Sequence, residues 1–376
     1  MNLPEILFLA FSASWLGVTL VLLTGWKRMP VFMAGVATPG VATPSLPLTV
    51  IIPVRNEEAG LSDLLEDLNR QTYRHFEVIV ADDQSTDRTP ELVREFTANY
   101  PLTLLRLTDD PGTSPKKRAI TQAIRRAKND WIVTTDGDCR VEERWLETLA
   151  GYQEATGASL VAGPVTFLDK GAAGDRLQIV EFASLVGTAM VSLFLGRPNM
   201  CNGANFSYSR KAFEAVGGFA GNENLASGDD EFLLHKIAAR FPVTFVKSRE
   251  ALVRTAAHTS FHSFYQQRRR WASKWKHYSD WKIPALAIYV FCVHAALIGG
   301  VAAWSAGHLS GTVLLMGIGL KAAGEWGFIG SVLAFFGQRK SIPWIPAVQV
   351  LYPFYVCFFG LAAQGRGYSW KGRSLR

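Results

Sequence analysis

Residues 48–58 read LTVIIPVRNEE, an unbroken apolar run rich in β-branched side chains that stops at Arg55-Asn56-Glu57-Glu58. Such a run suits a strand buried on both faces. Working outward, Leu61, Leu64, Leu65 and Leu68 follow at i, i+3, i+4, i+7 spacing and mark one face of a helix. FEVIVADD (76–83) predicts a second strand, RTPELVREFTANY (88–100) a helix with proline near its start, and LTLLRL (102–107) a third strand. SPKKRAITQAIRRAK (114–128) predicts another helix and WIVTTDGD (131–138) a fourth strand. This alternation predicts right-handed crossovers and a mostly parallel sheet covered by helices, with ligands at the carboxyl ends of the strands.

Carboxylates gather at those ends. The second strand runs into Asp82-Asp83 and the fourth into Asp136-Gly137-Asp138. Like charges repel unless a cation or hydrogen-bond donors offset them. Mg2+ or Mn2+ prefers one or two carboxylates together with phosphate oxygens. Gly137 lets the backbone turn closely around a ligand. Asp87, just before a helix, is expected to make an Asx turn or a cap. No GxGxxG follows the first strand and no GxxxxGK[ST] occurs, so Rossmann dinucleotide and P-loop readings lose their main support.

The rest of the chain is apolar at both ends. Of 376 residues, 48% are hydrophobic and 19% charged, the latter below the roughly 25% of soluble proteins. Glu5–Trp26 carries no charge after Glu5 and is long enough to span a bilayer core of about 30 Å. Lys27 and Arg28 follow, which puts that end in the cytoplasm by the positive-inside rule. A cleaved signal peptide fits poorly, because no basic stretch precedes the run. Further apolar runs cover 283–304, 309–336 (broken by Lys321 and Glu325, an i,i+4 pair) and 342–363, which holds Pro343, Pro346 and Pro353. The tail GRGYSWKGRSLR is basic. Keeping it inside makes the last run re-entrant or interfacial. Four scattered cysteines without CxxC spacing exclude a disulfide framework and a cysteine zinc site. His258 and His262 are i,i+4 but lack the intervening Glu of a metalloprotease.

The expected organisation is a membrane anchor at 1–28 and a linker at 29–47 with GVATP in tandem, then an α/β domain at 48–257. An interfacial amphipathic helix at 258–282 and a membrane region at 283–376, of two to three segments and a basic tail, complete it. The basic and aromatic residues of 261–281, Lys274, Lys276 and Trp281 among them, border the membrane rather than decorate a soluble face. That favours membrane lipids over nucleic acid as a partner.

The ordered set TVIIPVRNEE, VIVADDQSTD, PKKRAI, TTDGD, NGANFSYSRKAFEAVGGF, SGDDEF and QRRRW resembles the family 2 glycosyltransferases of GT-A fold, over roughly residues 48–275. More narrowly it resembles the membrane-embedded members, such as the cellulose, chitin, hyaluronan and poly-N-acetylglucosamine synthases and ceramide glucosyltransferase. The WKGR of the tail is similar to bacterial members. The resemblance implies that Pro53, Arg55, Asn56 and Glu57 form the first nucleotide loop and that Asp82 and Asp83 hold uracil and ribose. It implies that Lys116 lies near the diphosphate and that Asp136 and Asp138 form the DxD pair, with Asp138 the direct metal ligand. Gly203, Ala204 and Asn205 match the acceptor-side loop. Asp229 and Asp230 match the acidic pair in which Asp230 is the catalytic base, and Gln267, Arg268, Arg270 and Trp271 match Q(Q/R)xRW. Two departures stand out: SGDD replaces TED, and Ile120-Thr121-Gln122 stands where the family often has Leu-Asn.

The chemistry follows from the residue types. A sugar leaving a nucleotide diphosphate creates a polyanion that a divalent cation and arginines neutralise. A positioned carboxylate removes the acceptor hydroxyl's proton, and opposite-face attack inverts the anomeric carbon. The expectation is therefore a metal-dependent inverting transferase in the membrane (the inner membrane if bacterial) with a cytosolic catalytic domain, a UDP-sugar donor, and a lipid or glycan acceptor. A processive polysaccharide synthase shares these motifs, but few apolar segments disfavour a wide polymer tunnel. A transporter would show inverted repeats, which are not apparent. A catalytically silent nucleotide sensor would not need Asp230.

Overall fold

The computed structural model describes residues 1–34, 44–108, 114–225, 227–272, 274, 278, 280–362, 368–370 and 373–375. Nearly all of the GVATP repeat, Lys276 and much of the basic tail lie outside the described residues. The first elements are α1 (Leu3–Arg28), β1 (Leu48–Val54), α2 (Leu61–Asn69), β2 (Phe76–Asp82), α3 (Thr89–Glu95), β3 (Leu102–Arg106), α4 (Pro115–Arg126) and β4 (Trp131–Thr134). Then come α5 (Trp145–Thr156), β5 (Leu160–Ala162), β6 (Val165–Phe167), α6 (Ala173–Phe194), β7 (Phe206–Ser209), α7 (Arg210–Ala215), α8 (Glu231–Ala238), β8 (Val243–Phe245) and β9 (Val253–Thr255). The last are α9 (Phe261–Ala272), α10 (Lys282–Ser305), α11 (Gly311–Phe335), α12 (Ile345–Ala362), β10 (Tyr368–Trp370) and β11 (Arg373–Leu375).

The chain divides into two compact units. The first comprises Met29–Leu168, Ser192–Ala256 and Ser369–Arg376. Its sheet has the order β3-β2-β1-β4-β7-β5-β8, parallel from β3 through β4, with β7 antiparallel to both neighbours. This is the mostly parallel α/β fold expected. Val50, Ile51, Ile52, Val78, Val80, Ile132 and Val133 are wholly buried, as are Leu61, Leu64, Leu65 and Leu68 of α2. Each contributes about 1.5–3 kcal/mol through its burial. Register sets the active end: Val54 pairs with Asp82 and Ile51 with Thr134, so the loops after β1, β2 and β4 emerge at one edge.

The α3 helix ends at Glu95, not near Tyr100 as its sequence suggests, and Phe96 is extended. The cause is tertiary. Asn99 donates two hydrogen bonds to Asn69 at the end of α2, and the Tyr100 hydroxyl donates to the Leu65 carbonyl at 3.1 Å.

The second unit comprises Met1–Arg28, Asp169–Val191 and Ala257–Tyr368. Residues 169–191 therefore group with the apolar helices, whereas a domain running unbroken from 48 to 257 was expected. Among the described residues, five helical segments are long and apolar enough to cross a membrane: Leu3–Arg28, Ala173–Phe194, Lys282–Ser305, Gly311–Phe335 and Arg339–Ala362. The α6 segment escapes a search for uncharged runs because Asp175, Arg176 and Glu181 occupy its first half.

Helices α1 and α11 run parallel. Asn2 donates to the His308 carbonyl at 3.0 Å and the Ser310 amide to Glu5 at 3.1 Å at one end, while Trp26 packs edge-on to Phe335 at the other. Gly317 and Gly324 make room for α1: a Cβ at either would overlap Phe8 and Ser12, or Leu16 and Thr19. Lys321 and Glu325 form the anticipated pair, 2.7 Å apart and almost fully buried, and Trp15 Nε1 donates to Glu325 at 2.8 Å. Of the three prolines in the last run, Pro343 falls in a 3-10 turn and Pro353 inside α12. The four cysteines are free.

Candidate active site

The loops after β1 and β2 interlock. Asn56 and Gln84 both adopt left-handed backbone, with φ of 53° and 60°, and are the only non-glycine residues to do so among those described. Such conformations concentrate at functional sites. The Asn56 amide donates to Ser85 Oγ at 2.9 Å, and the Thr86 amide donates back to Asn56 Oδ1 at 2.8 Å. Asp87 accepts from the Thr89 amide at 3.0 Å, the Asx turn expected of it. The Glu57 amide donates to Thr89 Oγ1 at 2.8 Å.

Asp82 and Asp83 are both buried and turn toward cations. Asp82 accepts from the Ser85 amide at 3.0 Å and lies 3.4 Å from Arg106 Nε. Asp83 pairs with Arg118, and Arg55 Nη1 donates to the Asp83 carbonyl at 2.6 Å. These carboxylates form part of a wall fixed by three arginines. Pro53, one residue before the end of β1, is paired in register with Ala81.

Lys116 is the hub of the site. Its ammonium lies 2.7 Å from Asp136 Oδ1 and 3.1 Å from Asp229 Oδ2. Burial alone would lower its pKa, but Asp136 and Asp229 outweigh burial and hold it above its ordinary value. Burial alone would raise Asp229, but Lys116 holds it below the usual carboxylate range. The Gly203 amide donates to Asp230 Oδ2 at 2.9 Å, and the Glu231 amide donates to Asp230 Oδ1 at 2.7 Å. A Cβ at Gly203 would stand 3.0 Å from Asp229 and 3.2 Å from Lys116. Residues far apart in sequence thus meet: Lys116, Asp136, Gly203, Asp229 and Asp230.

Asp138 stands beside this cluster and is exposed. Its Oδ2 accepts from the neutral Thr255 hydroxyl at 3.2 Å, at the end of β9. Gly137 packs against Glu57, where a Cβ would lie 3.1 Å from Glu57 Cγ. Among the described residues, no three His, Cys, Asp or Glu side chains form a metal cage. The donor set still fits Mg2+ or Mn2+: one solvent-facing carboxylate, Asp138, leaves the other coordination positions to phosphate and water. Asp136 is already engaged by Lys116. The Cys139 thiol beside it is buried, which pushes its pKa well up and leaves a thiol rather than a thiolate.

Two expected site residues are buried and bonded within the protein. Asn205 is 0% exposed. Its side chain donates to the carbonyls of Pro164 and Ala251 at 2.9 and 2.7 Å and accepts from Trp145 Nε1 at 3.0 Å, so no polar atom is left for an acceptor. Arg268 is 1% exposed. Its guanidinium donates to Glu181 at 2.5 Å and to Gln267 at 2.6 Å, with the rings of Phe264 and Trp271 over it at 4.8 and 4.4 Å. It belongs to the packing of α9 in the helical unit, on which Gln267, Arg270 and Trp271 also lie. Lys117 and Arg118, each bound into the sheet unit, carried no sequence signal beyond being basic.

The chain matches the model of glycosyl transferase family 21 over residues 9–376. It is 29% identical over 208 residues to the glycosyltransferase AglE of Haloferax volcanii, covering 54% of this chain and 66% of that protein. It is 25% identical over 172 residues to the poly-beta-1,6-N-acetyl-D-glucosamine synthase of Staphylococcus aureus, covering 45% of this chain and 41% of that one. The matches thus span about two thirds of one relative and under half of the other. The mannosyltransferase PcManGT of Pyrobaculum calidifontis, solved in complex with GDP-Man and Mn2+, superposes with a TM-score of 0.56 at 20% identity. That superposition covers 93% of this chain and 98% of that one, and shows the shared fold.

Proposed function

The chain belongs to glycosyl transferase family 21, and on that premise we propose that it is a membrane-bound, metal-dependent, inverting transferase. It moves a sugar from a UDP-sugar to a lipid or glycan acceptor. The observation that carries this reading is the convergence of Lys116 on Asp136 and Asp229, with Asp230 held by the Gly203 amide alongside.

Asp230 is the base. Two backbone amides orient its carboxylate, which serves as the proton acceptor for the acceptor hydroxyl. As the acceptor oxygen bonds to the anomeric carbon, its proton passes to Asp230. The bond from that carbon to the diphosphate breaks, and the electron pair leaves with the nucleotide. Asp138 would hold a divalent ion, which would neutralise charge on that leaving group when bound. Lys116 adds a second cation within reach of it, while Arg55, Arg106 and Arg118 keep the Asp82–Asp83 wall in place for the nucleoside. Gln267, Arg270 and Trp271 remain proposed contacts to the diphosphate or the acceptor.

The apolar helices support a membrane setting. Among the described residues, every exposed large apolar side chain other than Phe261 lies on one of these helices or within five residues of its end. α1 finishes in the basic pair Lys27-Arg28 and α11 is followed by Arg339-Lys340, whereas Glu5 marks the opposite end. The positive-inside rule then puts the basic end, and the sheet unit that follows Arg28, in the cytosol. α12 starts beside the C-terminal half of α11, with Ile345 next to Gly330. It finishes by α9 and the N-terminal half of α10, with Phe359 on Phe264 and Gly360 on Phe291. The neighbours of both its ends lie in the halves of α10 and α11 nearer the basic side, which supports a re-entrant or interfacial segment. Membranes incubated with radiolabelled UDP-glucose and UDP-N-acetylglucosamine test the function. Label in a lipid or short-glycan fraction supports it, label in long polymer favours a processive synthase, and no transfer from any nucleotide sugar overturns it.

A further inference from the structure

Lys117, next in the chain to the hub lysine, points a different way. Successive helical residues are about 100° apart, so the two ammonium groups leave α4 on different faces. Lys117 is 2% exposed. A lysine buried this deeply needs partners, and its Nζ has three: the carbonyls of Asn222 at 2.6 Å, Leu225 at 2.9 Å and Ser227 at 3.1 Å. An ammonium has three protons, so each is spent on the backbone of one loop. The Ser114 amide, at the start of the same helix, donates to the Glu223 carbonyl of that loop at 2.8 Å.

The loop leads straight into the acidic pair. Gly228 follows Ser227 with φ of 78°, a left-handed turn that glycine adopts without strain, and Asp229 and Asp230 come next. The first turn of α4 therefore grips this segment twice, through its backbone with Lys117 and through the Asp229 carboxylate with Lys116. We propose that Lys117 is a positioning residue for the transfer: by caging the carbonyls of Asn222, Leu225 and Ser227 it fixes where Asp229 and Asp230 stand. It acts on the chemical step without touching donor or acceptor. A caged backbone suits this task because carbonyls, unlike side chains, cannot change rotamer, and a misplacement of about 1 Å in a catalytic group costs on the order of 10²-fold in rate.

This inference rests on the transferase reading, so one arm of its test does not need turnover. Full-length wild type, Lys117→Met and Lys117→Arg are compared in membranes or lipid nanodiscs. Lys117→Met keeps the stem and loses the charge. Amide hydrogen exchange of the peptide covering 222–232 is expected to rise in Lys117→Met, with the peptides of β1 and β2 unchanged. In transfer assays its kcat is expected to fall about tenfold or more while the KM for the UDP-sugar stays within about twofold. Lys117→Arg, which keeps the donors, is expected to recover part of both. Unchanged exchange overturns the cage. Increased exchange with unchanged kcat, or a kcat loss matched by the KM, overturns the positioning role. A destabilised Lys117→Met with exchange raised throughout, and no recovery in Lys117→Arg, also overturns it. Failure of wild-type transfer sinks the functional reading but leaves the exchange result to decide the cage.

Discussion

The ammonium of Lys116 lies 2.7 Å from a carboxylate oxygen of Asp136, so the first aspartate of the DGD turn is neutralised by the protein itself. Asp138 is exposed, and its carboxylate accepts from two neutral donors, the Thr255 hydroxyl at 3.2 Å and the Cys139 thiol at 3.8 Å. The two aspartates flanking Gly137 thus have different electrostatic settings, and this difference divides their expected roles.

Asp138→Ala is expected to abolish metal-stimulated transfer. Losing several kcal/mol of leaving-group stabilisation corresponds to about a hundredfold or more in rate. Chelation should do the same to wild type and be reversed by Mg2+ or Mn2+. Transfer that survives chelation undiminished would contradict this assignment.

Asp230→Asn keeps the carboxamide oxygen for one backbone amide but removes the proton acceptor. Loss of a general base costs about 10²–10⁴-fold in kcat. UDP binding, followed by calorimetry, should stay near wild type. Turnover close to wild type would remove Asp230 from the mechanism.

The Lys116–Asp229 pair should be silent to pH across the neutral range. Lys116 sits above its ordinary 10.5, so its contribution is complete below 10.5 and is lost only as pH rises through that higher value. Asp229 sits below its ordinary 3.8, so its contribution is complete above 3.8 and is lost as pH falls through that lower value. The difference in Tm between wild type and Lys116→Met should therefore stay constant from about pH 5 to about pH 9 and shrink in stronger acid and in stronger base. A difference that varies with pH within that window would show that other groups govern the site.

Asn205→Ala should damage stability rather than acceptor affinity. It strands the Trp145 indole N–H and two buried carbonyls, at about 1–3 kcal/mol for each group left unsatisfied. The readouts are Tm and the acceptor KM of the fraction that folds. A selective rise in KM at unchanged Tm would return Asn205 to the acceptor site.

Gly324→Val should weaken the packing of α1 on α11, because even the first added carbon overlaps Thr19. The yield of protein that stays monodisperse in detergent measures this. Gly319→Val, where a Cβ meets nothing within 4 Å, is the control expected to behave like wild type.

The first four strands and the helices between them were legible because apolar runs and helical spacing carry that information locally, as Leu61, Leu64, Leu65 and Leu68 illustrate. Asp82, Asp83, Asp136 and Asp138 were legible because carboxylates at strand ends are conspicuous, whereas Asp229 and Asp230 were found through the motif resemblance. What was hidden depended on partners distant in sequence. Nothing near Asn205 announces Trp145, and nothing near Arg268 announces Glu181. Lys117 and Lys116 are the same residue type side by side, and only the fold assigns one to backbone carbonyls and the other to carboxylates. The apolar character of α6 was masked by three charges in its first half, one of which, Glu181, pairs with Arg268.

The bond from Trp15 to Glu325 links residues 310 apart, and it has a consequence for biosynthesis. At ribosomal speeds of about 5–20 residues per second, α1 waits about 15–60 s before α11 emerges. In the proposed membrane setting, its indole and its face for Gly317 and Gly324 meet only lipid or the insertion machinery throughout that interval. The charged pair of α11 would then enter a bilayer in which its indole partner is already installed, so the earlier helix serves as the receptor for the later one.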